Sequence, residues 1–250
     1  MGLMTFLIVC PVVFLAGFVD AIGGGGGLIS LPGYMIAGVP VHMAVATNKL
    51  SSSTGTLIST IRLCKNSKID FLLALPAIAF AYIGSTAGAM LSMMIPESYL
   101  KGALLVILPI TAYFVIRKDV LAEESAGSVS RRKMILIAWI AAIVIGLYDG
   151  MYGPGTGTFY IIVFMSLAKM TTMEAAVNTK LLNLTSNLAA LLTFLLHGQV
   201  SILLGLTASV FSIAGHYMGA GMVMKNGSKI VKPIICVVLG LLFIKIIFGL

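Results

Sequence analysis

The chain has 250 residues, of which 59% are hydrophobic and 10% charged, and its mean hydropathy is +1.09. A soluble domain carries about 25% charged residues, so water is not the main solvent here and no room is left for a soluble domain. The net charge of +8 would suggest nucleic acid in a soluble protein. Here most Lys and Arg lie between apolar runs, as membrane orientation requires, and nucleic acid is excluded as a partner.

Ten apolar segments follow in chain order: 4–22, 28–40, 43–62, 71–94, 99–116, 134–149, 157–168, 173–196, 201–224 and 231–249. Most approach the ~20 residues that a helix needs to cross ~30 Å of hydrocarbon. A β-barrel is excluded because residues 134–145 and 234–247 are almost continuously apolar instead of alternating. Helices are the remaining spanning structure. No basic residue precedes the first segment and Asp20 closes it, so it reads as structure and not as a cleaved leader. Cys10, Cys64 and Cys236 have no ligand spacing and read as apolar packing residues, with no metal, cofactor or disulfide framework implied.

The polar stretch Arg117–Lys133 divides the chain near its centre, and the two sides resemble each other. Lys49 in Ala46-Thr47-Asn48-Lys49 answers Lys180 in Val177-Asn178-Thr179-Lys180, 131 positions on. Gly84, Gly88 and Ala89 answer Gly215, Gly219 and Ala220 at the same offset. Asp20, Gly24 and Gly26 answer Asp149, Gly153 and Gly155 at 129. The predicted organisation is an N-terminal membrane repeat over 1–116, a linker over 117–133 and a C-terminal membrane repeat over 134–250.

Charge decides the relation between the repeats. If all ten segments cross, Arg62, Lys65, Lys68, Arg117, Lys118, Arg131, Arg132, Lys133, Lys169, Lys225, Lys229 and Lys232 share one side, against Lys101 and Lys245 on the other. By the positive-inside rule the twelve-residue side, with the linker, is cytoplasmic and both termini lie opposite. The expected fold is an all-α polytopic membrane protein with two inverted-topology repeats of five helical segments each, about 8–10 membrane segments in all.

Segments 28–40 and 157–168 are only about 20 Å long at 1.5 Å per residue, and each follows a glycine-rich break. The breaks predict either two tilted short helices or a hairpin whose tip stops inside the membrane. Short, glycine-interrupted segments at matching places in two halves point to a transporter binding site.

The first candidate motif is Gly24, Gly25, Gly26 and Gly27, answered by Gly153, Gly155 and Thr156. Each glycine costs about 1 kcal/mol in a helix interior, so something requires them. Unwound backbone beside a helix start leaves N–H groups free for an anion; the plainer alternative is close helix packing. The second motif pairs Asn48, Lys49 and Ser52 with Asn178, Thr179 and Lys180. Lys180, Asn183 and Asn187 are spaced i, i+3, i+7, as Lys49, Ser52, Ser53 and Thr56 are spaced i, i+3, i+4, i+7. Each set makes one polar stripe, suited to a bundle interior or a wet cavity. The alternative is snorkelling lysines with Ser and Asn as interhelical glue. Asp20 and Asp149 can be structural partners of a lysine or proton carriers, and His216 can titrate near neutral pH. No GxxxxGK[ST], GxSxG or HExxH sequence is present, so neither a phosphate-binding loop nor a catalytic residue is nominated.

Together, the Asp20–Gly27 run, Ala46-Thr47-Asn48-Lys49, Gly84–Ala89 and their echoes in the second half resemble the TauE/SafE sulfite exporter family. The resemblance covers essentially the whole chain and implies a permease for sulfite or organosulfur anions in a prokaryotic cytoplasmic membrane. The expected function is secondary transport of a small anion by alternating access between the repeats, not catalysis. An anion channel or a membrane scaffold is the alternative. The expected partners are the small anionic substrate and the lipid bilayer, with a homodimer as candidate assembly.

Overall fold

The computed structural model of the chain describes residues 2–65, 69–117 and 129–222. The described residues are all-helical: α1 Leu3–Gly23, α2 Gly27–Ile36, α3 Val41–Cys64, α4 Phe71–Met94, α5 Glu97–Arg117, α6 Arg131–Met151, α7 Thr156–Ser166, α8 Thr172–Leu196 and α9 Ile202–Met222. Five of these are long and apolar enough to cross a membrane, namely Leu3–Ile22, Phe71–Met94, Arg131–Met151, Met173–Leu196 and Ile202–Ala220. The segment expected at 231–249 and most of the linker lie outside the described residues.

Local chemistry sets the helix ends. Asp70 caps α4 by accepting from the Leu72 N–H at 3.1 Å. Ser130 caps α6, accepting from the Lys133 N–H, so Arg131–Lys133 form its first helical turn. Thr171 and Glu174 form a reciprocal capping box on α8. Glu97 of α5 accepts from the Val41 N–H at the start of α3 at 2.7 Å. α2 stops at Ile36, short of the expected residue 40, because Gly38 turns the backbone to φ 81° and Pro40 follows.

The first two helices form an antiparallel hairpin. Gly26 lies against Asp20, and Gly33 against Val12. The chain reverses through Gly24 and Gly25 at φ 72° and 96°, a region closed to most other residues. α6 and α7 repeat this, with Pro154 held by Tyr148 and Tyr160 bonded to the Ala142 carbonyl. Their turn uses Gly153 and Gly155 at φ 91° and 76°. In both hairpins one arm has 21 residues and the other only 10 or 11.

Contacts between the halves fix helix directions. Gly215 and Gly219 of α9 sit on the Phe14 and Phe18 carbonyls, so α1 and α9 run parallel. Gly84 and Gly88 of α4 meet the Ile143 and Leu147 carbonyls of α6 in the same way. α3 and α9 also run parallel, Thr47 meeting Ser201 and Arg62 meeting Tyr217. α3 and α8 run antiparallel, Lys49 meeting Asn187 and Thr60 meeting Lys180. Arg62 bonds the Tyr217 carbonyl and Arg131 pairs with Asp70. The ends of α3 and α9 and the starts of α4 and α6 therefore gather at one basic end.

Two apolar clusters flank the centre. One joins α1, α2, α3, α5 and α9, with Ala89 of α4 and Phe194 of α8, around Val9, Leu28, Leu104 and Leu204; the other joins α4, α6, α7 and α8 around Leu73, Ala142, Tyr160 and Phe164. Leu72, Leu75, Ile140, Val144, Leu203 and Val210 are exposed on the outside. Lipid tails solvate such a surface as well as another helix does, so close packing through small residues has to hold the helices together.

A side chain at Gly88 would run into the Leu147 carbonyl, and one at Gly215 into that of Phe14, whereas Gly102 has open space. Gly88→Val and Gly215→Val are expected to destabilise the fold by about 1–3 kcal/mol or more. Thermal unfolding of detergent-purified protein checks this, with Gly102→Ala expected to unfold no earlier than the parent chain.

Candidate functional site

The tips of the two hairpins touch. Gly24 packs on the backbone of Gly157 and Thr158, and Gly27 on Pro154, so closely that an added Cβ would come within about 3.0 Å. Beside this contact lies a cavity of about 30 Å³, space for roughly two waters at ~10–15 Å³ each. α3 and α8 supply its polar walls.

The short helices start on this cavity without side-chain caps. Gly25, Gly26, Gly27, Gly153, Gly155, Thr156 and Gly157 all line it. Among the described residues, the N–H groups of Gly25, Gly27, Gly155 and Gly157 engage no backbone acceptor. Two positive helix ends thus face one small space.

Each lysine is paired with the aspartate of the other half. Lys49 Nζ lies 2.9 Å from Asp149 Oδ2, and Lys180 Nζ lies 3.0 Å from Asp20 Oδ2. Lys180 also donates to the Asp20 carbonyl at 2.7 Å, in the last turn of α1, where the helix dipole favours a cation. Asp149 accepts further hydrogen bonds from Thr156 Oγ1 at 2.7 Å and Ser186 Oγ at 2.6 Å. Asp20 instead accepts from the Gly26 N–H and meets His216 Nε2, both at 3.2 Å. Lys49 and Asp149 are buried to 1% exposure each; such a pair persists only because hydrogen bonds satisfy its remaining polar atoms.

From Lys49 a polar chain crosses the cavity wall. Lys49 Nζ donates to Asn187 Oδ1 at 3.1 Å, and Asn187 Nδ2 donates to Asn183 Oδ1 at 3.1 Å. That order leaves the Asn183 amide N–H₂ facing the cavity near Gly157. Asn48 also lines the cavity, and its Oδ1 has no hydrogen-bond partner among the described residues.

Of the residues singled out in the sequence, Asp20, Gly25, Gly26, Gly27, Asn48, Lys49, Ser52, Asp149, Gly153, Gly155, Thr156, Asn183, Asn187 and His216 line this one cavity. Gly24, Asn178, Thr179 and Lys180 stand behind its wall. Asn178 donates to the Glu174 carbonyl, and Thr179 Oγ1 is buried without a partner among the described residues. Sequence reasoning missed Ser30 and Ser212, which line the cavity, and Ser186, which holds Asp149. An isolated serine in an apolar helix carries no signal, but Ser186 stands one turn beyond Asn183 on the stripe read from Lys180.

The sulfite exporter TauE/SafE family matches residues 9–246. The chain belongs to this family. It is similar to "Probable membrane transporter protein YfcA" of Escherichia coli (strain K12), at 34% identity over 95% of this chain and 87% of the relative. It is also similar to "Probable membrane transporter protein ORF9" of a Sinorhizobium species, at 33% identity over 94% and 89% of the two chains. A "Probable membrane transporter protein" of Haemophilus influenzae is 31% identical over 99% and 96%. No solved structure is a significant match. This TauE/SafE chain is therefore a multi-pass membrane protein of a transporter family.

Removing one partner of the buried pair leaves an uncompensated charge, whereas removing both does not. Asp149→Ala is expected to destabilise this TauE/SafE chain by about 3–5 kcal/mol, and Lys49→Met with Asp149→Leu to recover most of that loss. Unfolding midpoints of the single and double variants check the prediction.

Proposed function

We propose that the protein is a secondary transporter that carries a small oxyanion, such as sulfite or a small organosulfonate, across the cytoplasmic membrane. The observation that carries this reading is the pair of uncapped helix starts opening on one cavity with lysine and asparagine in its wall. Dipoles and free N–H groups at a helix start favour an anion. Each lysine is already balanced by an aspartate, so the anion is held chiefly by the Gly25–Gly27 and Gly155–Gly157 backbone. The amides of Asn48 and Asn183 add donors, and Lys49 adds local positive potential.

We further propose two inverted repeats, residues 1–116 and 134–250, with the basic end cytoplasmic. In support, α1, α3 and α9 share one direction, and α6 and α8 take the other. The hairpins then enter from opposite sides and meet near the midplane, the arrangement in which rocking one repeat against the other opens the cavity alternately to each side. The family match favours a transporter over a channel or scaffold. Gradients of the anion and of a coupling ion set the direction of transport.

Proteoliposomes test the reading. Sulfite flux is expected to saturate and to be accelerated by anion on the far side. Asn183→Asp, which places a carboxylate against the two helix starts with little change of shape, is expected to slow flux at least about ten-fold, since ~1.4 kcal/mol of repulsion suffices. Non-saturating current would assign a channel instead.

A further inference from the structure

The two lysine–aspartate pairs occupy equivalent positions, but one exchange in their surroundings brings a titratable ring to only one of them. At the offset of 131 that relates Lys49 to Lys180, Ser85 corresponds to His216 and Gly55 to Ser186. Beside Asp149, Ser85 donates to the Ser186 carbonyl and Ser186 donates to the carboxylate, both at 2.6 Å. Beside Asp20 the small residue is Gly55, and His216 fills the space: a Cβ on Gly55 would strike its ring. A titratable imidazole thus replaces a fixed hydroxyl on one of two matched carboxylates.

Hydrogen-bond accounting then places a proton. His216 Nδ1 lies 2.9 Å from the Ser212 carbonyl, which only accepts, so a hydrogen on Nδ1 has its acceptor there. Nε2 lies 3.2 Å from Asp20 Oδ2. With hydrogen on Nδ1 donated to Ser212, the Nε2 contact needs a second proton between ring and carboxylate; with hydrogen on Nε2 alone, Nδ1 can accept from the Ser212 hydroxyl, so the ring has partners in both protonation states. Among the described residues, the ionisable groups around the ring are Asp20 from α1, Lys180 from α8, Lys49 from α3 and, across the cavity, Asp149 from α6. Lys49 balances Asp149 and Lys180 balances Asp20. A second proton on His216 would be, among the described residues around the cavity, the one positive charge that these pairs leave uncompensated.

We propose that His216, held against Asp20, is the proton-binding site of the transporter, and that one proton and one anion occupy the cavity together and cross in the same direction. The inference rests on the anion-transport reading above and names its co-substrate. When the proton leaves to water, hydrogen remains on Nε2, facing Asp20, and Nδ1 becomes an acceptor. The Ser212 hydroxyl, 3.4 Å away, is placed to donate to it. The cavity then has no net charge and releases the anion. The Lys49–Asp149 pair, fixed by Thr156 and Ser186, takes no part in proton exchange.

The test uses methanesulfonate and sulfate, whose charges are constant between pH 5 and 9, with full-length protein. The chain has three histidines, His42, His197 and His216, and ¹⁵N-imidazole spectra of wild type, His42→Gln and His197→Gln assign the signal of His216. Saturating anion is expected to raise the titration midpoint of His216 by about one pH unit for each ten-fold preference of the anion for the protonated cavity. The binding of the same anion tightens correspondingly as pH falls. In proteoliposomes with an internal pH dye, wild type is expected to move one proton per methanesulfonate, and His216→Gln to move none per anion carried. Anion binding with an unmoved His216 midpoint, or unchanged proton movement in His216→Gln, would overturn the assignment. Sulfite flux without binding of either constant-charge anion would place the proton on the substrate and also overturn it. Absence of flux for all three anions would remove the transport reading itself, an outcome distinct from the others.

Discussion

Charge in a low-dielectric interior is the constraint on which the rest of this structure depends. Two lysines and two aspartates lie deep among apolar helices, and each would cost several kcal/mol if left alone. The chain meets this cost by crossing the partners: Lys49 with Asp149 and Lys180 with Asp20. Each pair ties the long polar-faced helix of one half to the hairpin end of the other. The same two bonds that neutralise the charges therefore hold the glycine tips together.

That closure shapes the cavity. With both lysines occupied, the unsatisfied groups facing the space among the described residues are the N–H groups of Gly25, Gly27, Gly155 and Gly157 and the amides of Asn48 and Asn183. Three of the longer helices begin with a side-chain cap, Asp70 for α4, Ser130 for α6 and Thr171 with Glu174 for α8, while α1 and α3 have none of their own and the start of α3 is met by Glu97 of α5. The two short helices begin with glycine and no cap. Glycine serves here in two capacities, since the reversal needs positive φ and the contact of Gly24 with Gly157 and Thr158 leaves no space for a Cβ.

The departure from repeat symmetry is as informative as the symmetry. Around Asp149, Ser186 and Thr156 satisfy the carboxylate with hydroxyl groups that keep their protons over the biological pH range. Around Asp20 the equivalent volume holds glycine and histidine. A duplicated scaffold can in this way keep one ion pair as a fixed fastening and let its twin exchange a proton.

The sequence by itself determined the solvent of this protein, its helical class and the boundaries of most helices, because long apolar runs leave one satisfied backbone conformation in lipid. It also showed matching motifs 129 and 131 positions apart and nominated most of the residues that line the cavity, because buried polar groups and consecutive glycines stand out against an apolar background. What it did not contain was who faces whom. Lys49 and Asp149 are one hundred positions apart, and no local rule pairs them; the pairing exists only once α3 packs against the end of α6. Ser186, Ser212 and Ser30 were silent because a serine in a membrane helix is ordinary until its partner is known. The role of His216 follows from the volume left by Gly55 and from two acceptors on different helices, Ser212 and Asp20, quantities that come into being only with tertiary packing.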